Sequence, residues 1–155
     1  MTFGSHILAG VVFASFFNLP ILPSILGSIL PDVDLKKGLP FPNQRTLFNS
    51  HRGITHHILI PIVLLFVSIT VKDFLNKSLG LNLLSFTVGY FSHLFLDALT
   101  PLGIPYSTKY YPRFSFKLFK TGKIGELFVI LILIALLIFQ VKSGELDYSS
   151  FKFTR

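Results

Sequence analysis

The chain has 155 residues, of which 51% are hydrophobic, 15% aromatic and 14% charged, with 18 phenylalanines. That is one domain's length, and a soluble domain averages about 25% charged residues, so the composition excludes disorder and points to an integral membrane protein. The absence of cysteine excludes disulfides, thiolate-ligated metal and a thiol nucleophile, and in such a chain the net charge of +7 points to cytoplasmic loops and anionic head groups rather than nucleic acid.

No repeat, linker or low-complexity tract divides residues 1–155, so they read as a single integral membrane domain. Four stretches are long and nearly free of charge. The first, Thr2 to Pro31, carries no Lys, Arg, Asp or Glu, but Asn18, Pro20 and Pro23 interrupt it. It reads either as one kinked span or as a re-entrant hairpin with arms from about Ser5 to Phe17 and from Ser24 to Leu30. Each arm is too short to cross a hydrocarbon core of ~30 Å. No basic region precedes the apolar run, which argues against a cleaved signal peptide.

Gly53 to Val71 and Ser78 to Leu96 are each 19 residues without Lys, Arg, Asp or Glu. Leu127 to Val141 is a run of 15 that reaches spanning length only with Ile124 and Gly125 included and Lys142 snorkelling. The expected fold is therefore all-α, a polytopic helix bundle with about four membrane segments. Loops Asp32 to Arg52 and Leu99 to Lys123 carry nine basic residues between them, against five on the other side (Lys72, Lys77, Lys142, Lys152 and Arg155). The positive-inside rule puts the two long loops in the cytoplasm.

Ionisable residues gather at three places that this topology brings to one face: Asp32 and Asp34; His51, Arg52, His56 and His57; and His93 with Asp97. His93 and Asp97 are four apart and share a helix face. The same stride backwards reaches Gly89 and Ser85, a small and polar stripe that lets a neighbouring helix approach. Buried ionisable groups in a membrane helix face a bundle interior or a cavity, and alone such a His–Asp pair suits self-satisfaction as well as metal ligation. Two further His/Asp clusters on the same side favour ligands.

His51 and His56 do not share a face of a regular helix; they suit a turn running into one, with Gly53 free to take a backbone conformation that other residues avoid. Thr55 either caps that helix or donates a hydrogen bond to a ligand, and Thr100 is assigned to the same supporting layer. His57 reads as an interfacial neighbour. Arg52 is either an ordinary positive-inside charge or the group that steadies an anionic oxygen. Asp32 and Asp34 point apart in an extended segment, so one binds metal while the other caps a turn or accepts a proton. Imidazole and carboxylate without thiolate suit zinc, manganese, iron or cobalt better than magnesium or calcium. His6 joins the group only if the first stretch is a hairpin.

Other catalytic patterns are missing: there is no G-x-S-x-G, P-loop, H-E-x-x-H or dinucleotide fingerprint, and no His-Asp dipeptide. Ser92, His93 and Asp97 cannot form a nucleophilic triad, because adjacent helical residues point about 100° apart.

The ordered motifs L-P-D-V-D (Leu30 to Asp34), H-R-G-I-T-H (His51 to His56) and G-Y-F-S-H-L-F-L-D-A-L-T-P-L-G (Gly89 to Gly103), with an early histidine in G-S-H, resemble the YdjM-type predicted membrane-bound metal-dependent hydrolases over about Gly4 to Pro105. A looser likeness, through H-x-x-x-D spacing alone, is to zinc-dependent phospholipase C and P1-type nuclease. The family resemblance implies an inner-membrane protein with a cytoplasm-facing site whose ligands are Asp34, His51, His56, His93, Asp97 and His6, holding one or two transition-metal ions, zinc foremost. Asp32 is then the expected general base and Arg52 the oxyanion partner, acting on a phosphoester or lipid head group. A metal-ion transporter and a non-catalytic protein with a structural metal are the rival readings. A transporter needs ligands through the membrane, and Leu127 to Val141 offers no polar path.

Overall fold

The computed structural model describes residues 1–144; Lys152 and Arg155 of the charge count lie outside the described residues. Five α-helices carry the fold: α1 (Phe3–Phe16), α2 (Ile21–Ile29), α3 (Leu59–Thr70), α4 (Lys77–Ala98) and α5 (Ile124–Ser143). The all-α expectation holds, apart from a two-residue hairpin pairing β1 (Ile104–Pro105) with β2 (Arg113–Phe114). Among the described residues, α4 and α5 are the two helices long and apolar enough to cross a membrane.

The first apolar stretch is two helices. α1 stops because Asn18 takes φ +52°, while the Asn18 and Leu19 amides close back on the carbonyls of Ser15 and Ala14. Pro20 then caps α2, and Pro23 lies in its first turn, where a missing N–H costs no helical bond. The arms run antiparallel: Ala14 packs with Ile21, and Ser24 Oγ donates to the Gly10 carbonyl at 2.8 Å.

α2 and α4 run parallel in close register. Ser85 Oγ bonds the Pro20 carbonyl, Gly89 abuts the Ser24 backbone, and His93 Nδ1 lies 2.7 Å from the Ser28 carbonyl. The stripe read from α4 is thus the seam along which α2 lies. A β-carbon on Gly89 or Gly27 would run into the opposite backbone.

The second apolar stretch becomes helical later than its charge-free run begins. Ile54–His56 forms a 3₁₀ turn, α3 begins at Leu59, and Val71–Leu75 adds one π-helical turn before Asn76 caps α4 by accepting from the Leu79 amide at 2.9 Å. α5 includes Ile124 and Gly125, as the length argument requires, and ends on Gly144 in the left-handed conformation. Its outward residues, including Leu127, Phe128, Leu131, Ile138 and Phe139, are exposed and apolar, a surface suited to lipid. Its inward residues Val129 and Leu133 pack with Ala9, Val12 and Leu96, which ties α5 to α1 and α4.

Candidate metal centre

The site forms where the ends of the parallel helices meet the loop that carries His51 and His56. After α2 the chain tightens into a 3₁₀ helix, Leu30–Lys37. At three residues per turn, Asp32 and Asp34 face different ways. Asp32 Oδ1 lies 3.6 Å from Nε2 of both His56 and His93, and 4.0 Å from Nε2 of His51.

α4 supplies His93 and Asp97, both fully buried. Asp97 Oδ2 is 3.3 Å from His56 Nε2 and 3.6 Å from His93 Nε2, and those two nitrogens are 3.1 Å apart. α1 supplies His6, whose ring stacks on that of His93 with centroids 3.7 Å apart, and whose Nε2 is 3.4 Å from Asp97 Oδ1. His6 therefore sits beside Asp32 and His93.

Two sets of donor atoms are close enough to share an ion: His6, Asp32 and His93; and His56, His93 and Asp97. The donor set fits a metal on three counts. Ligand bonds of about 2.0–2.2 Å put tetrahedral neighbours ~3.3–3.6 Å apart, close to the separations found. Both ring nitrogens of His6, and Asp97 Oδ2, are buried without a hydrogen-bond partner, an arrangement that is costly unless something else binds them. Finally, an Nδ1–H of His93 donated to the Ser28 carbonyl leaves the Nε2 lone pair facing the cluster, the usual orientation of a ligating histidine.

Around these donors the other expected residues take distinct places. Both oxygens of Asp34 are engaged, Oδ1 with His51 Nδ1 at 2.6 Å and Oδ2 with the Thr55 hydroxyl at 2.6 Å. Although expected among the ligands, Asp34 stands behind His51 and turns its Nε2 towards Asp32. Burial opposes ionisation of Asp34, yet the bonds from His51 and Thr55 bring its pKa down to about 2. Thr55 donates to Asp34, and so to the group behind His51 rather than to a metal donor itself.

Arg52, not Gly53, takes the left-handed backbone conformation, at φ +57°. Its guanidinium bonds Asp97 Oδ1 at 2.8 Å and Thr100 Oγ1 at 2.7 Å, and Thr100 in turn donates to the Asp97 carbonyl. Gly53, at φ −87° and ψ −121°, takes the unusual backbone expected of it and also allows close approach, because a β-carbon there would strike the Leu47 carbonyl. His57 faces away, its Nε2 3.2 Å from the Ser107 carbonyl.

Three contacts have no local signal in the sequence. The Met1 amino group reaches Asp97 Oδ1 at 2.6 Å. Arg113 braces the loop by donating to the carbonyls of Arg52, Leu102 and Gly103. The Ser28 carbonyl orients His93, and only the small stripe on α4 hinted that a backbone would come so near.

The family model for the YdjM inner membrane protein matches residues 1–147. The chain belongs to that family. It is similar to the uncharacterized protein YvsG of Bacillus subtilis (strain 168), with 30% identity over 145 residues that cover 84% of this chain and 88% of YvsG. No solved structure matches. Membership makes this an inner-membrane protein, with α4 and α5 as its candidate spans and a buried His/Asp group that could hold a metal ion.

Proposed function

We propose that this YdjM-family protein is a membrane-bound metal-dependent hydrolase acting on a phosphoester at the level of the lipid head groups. The observation that carries the reading is the pair of buried donor sets sharing His93, which Ser28 orients from behind, with His51, held by Asp34, beside them. Perturbed, converging and partly unsatisfied ionisable groups are more characteristic of a reactive site than of a packing core.

In this reading His6, His51, His56, His93 and Asp97, with Oδ1 of Asp32, hold one or two ions, zinc best suited to the donors. The ion supplies Lewis acidity and a water acidic enough to ionise near neutral pH. Asp32 is the most exposed of the three acids, its side chain 11% accessible against 2% for Asp34 and none for Asp97. Its other oxygen, Oδ2, accepts the proton of the attacking water as the new phosphorus–oxygen bond forms. The leaving alkoxide departs with the ester bond's electron pair and takes a proton from solvent. Arg52 holds Asp97 in place and offers charge to the developing oxyanion.

The topology that accompanies this reading is a re-entrant α1–α2 hairpin followed by three crossings, at α3, α4 and α5, with the site facing the cytoplasm. The nine-to-five distribution of basic residues supports it. Donors gathered at one end of the bundle, beside an α5 without a polar path, weigh against an ion transporter. The test is elemental analysis of the detergent-purified protein with a hydrolysis screen of soluble phosphomonoesters, phosphodiesters and phospholipid vesicles. Stoichiometric metal with metal-dependent phosphate release supports the hydrolase. Stoichiometric metal without turnover of any of these leaves a structural metal and sinks the catalytic reading.

A further inference from the structure

A cavity of about 430 Å³ adjoins the donor cluster, bounded by Leu39, His51, Arg52, Thr100 and Lys120 among others. Its lining holds two cationic side chains and no carboxylate. Arg52 is 6% exposed; two of its guanidinium nitrogens are taken by Asp97 and Thr100, and its Nε is buried with no hydrogen-bond partner. Arg52 is thus fixed in place, with its side chain forming part of the cavity wall. Lys120 is exposed, and its ammonium makes no ion pair among the described residues.

We propose that this cavity is an oxyanion subsite for a phosphate group, bound between the Arg52 guanidinium and the Lys120 ammonium beside the donor cluster. The proposal rests on the hydrolase reading for its purpose and names the substrate feature that the protein would recognise. Guanidinium and ammonium both favour phosphate oxygens, the first through fixed donors and the second as a mobile point charge. The division of labour follows from burial: Arg52 is held rigidly by Asp97 and Thr100, while Lys120 is free to close on an anion that has arrived. Leu39 on the cavity wall and the neighbouring Phe41 and Leu118 are exposed apolar side chains on basic loops, which places the mouth at a surface compatible with head groups. A phosphate reaches such a mouth either free in solution or esterified to a lipid.

The experiment is calorimetric titration of the full chain in detergent with inorganic phosphate, with metal content measured on the same samples. Lys120 is the residue to vary, since it is exposed and touches no donor of the cluster. Lys120→Ala should weaken phosphate binding about tenfold, the equivalent of one charge-assisted contact, and Lys120→Glu should abolish it. Metal content should stay at the parent value in both. Phosphate affinity within twofold of the parent in both variants, or no binding by the parent at millimolar phosphate, overturns the subsite. So does loss of metal in Lys120→Ala, which would make Lys120 part of the cluster's support. Competition by glycerol 3-phosphate or by phosphatidic acid in nanodiscs, lost in Lys120→Glu, identifies the soluble or the lipid source. Competition by neither counts against the proposal. Lys120-dependent phosphate binding in a parent that holds no metal keeps the subsite and removes the hydrolase.

Discussion

His93 Nδ1 lies 2.7 Å from the Ser28 carbonyl oxygen, a contact between two helices that run parallel in register. That register, Ser85 on Pro20, Gly89 on Ser24 and His93 on Ser28, carries Asp32 to the end of the seam where Asp97 and His56 wait. The packing of α2 on α4 and the aim of the imidazole are one structural feature. A change that separates the helices should release the histidine.

Gly89 tests that link. Its β-carbon would overlap the Ser24 carbonyl, and backbone cannot rotate away as a side-chain tip can. Gly89→Val should therefore cost about 1–3 kcal/mol of stability and lower metal occupancy, although Gly89 bears no ligand atom. Gly4→Ala, where the added carbon meets nothing within 4 Å, is the control. Equal thermal stability and equal metal in the two variants would contradict a seam that orients His93.

Asp34 allows a graded prediction. It bonds His51 and Thr55, and meets His56 only at Nδ1, 3.9 Å away and on the far side of the ring from the Nε2 that faces the cluster. Asp34→Asn keeps the size but loses the charge that orients His51, and changes of that kind cost roughly 10–100-fold in metal affinity. Thr55→Ala removes one bond to Asp34 and should fall at the weak end, while His57→Ala, bonded to the Ser107 carbonyl outside the cluster, should leave metal affinity unchanged. Competition with a chelator of known affinity ranks the three. Asp34→Asn no weaker than His57→Ala would show that His51 needs no support from Asp34.

How much of this was legible before the structure differs residue by residue. The His93–Asp97 pair and the stripe behind it depend only on the 3.6-residue period, which local sequence encodes. The choice between Asp32 and Asp34 does not. In a 3₁₀ turn they diverge, and which one meets the histidines depends on the direction in which α2 delivers the turn, a consequence of its non-local seam with α4. His6 was ambiguous for a similar reason: its place hangs on a chain reversal at Asn18, where proline and asparagine mark a break without fixing its angle. The long charge-free run after Gly53 suggested a span starting there, but His51 to His57 are spent on the site's turn and α3 starts at Leu59.

The proposed re-entrant hairpin makes a topological prediction. Reporter fusions after Gly38 and after Lys117 should both report the cytoplasm, and a cysteine at Thr2 should be labelled from the same side, because α1 returns to the face that carries Asp32 and Asp97. A fusion at the C-terminus should report the opposite side. Labelling of the Thr2 position exclusively from outside is incompatible with His6 beside His93.

The final prediction concerns how the two donor sets share metal. His93 belongs to both, His6 and Asp32 to one, His56 and Asp97 to the other. Loss of a shared donor should therefore differ in kind from loss of an unshared one. His93→Ala should strip metal most completely. His6→Ala and His56→Ala should each leave residual binding, since the three donors of the opposite set remain. Asp97→Ala should be more severe than its membership of one set implies, because it also frees Arg52, which Asp97 Oδ1 holds at 2.8 Å, and leaves that cation buried beside the histidines. Asp97→Asn, which keeps a hydrogen-bond acceptor for Arg52, should then retain more metal than Asp97→Ala. The measurement is metal per folded protein by elemental analysis, on variants whose helicity and monodispersity match the parent. If His6→Ala or His56→Ala loses as much metal as His93→Ala, the two sets act as a single site and His93 has no special standing. If all of these variants fold and keep their full metal, the cluster is not where the metal binds.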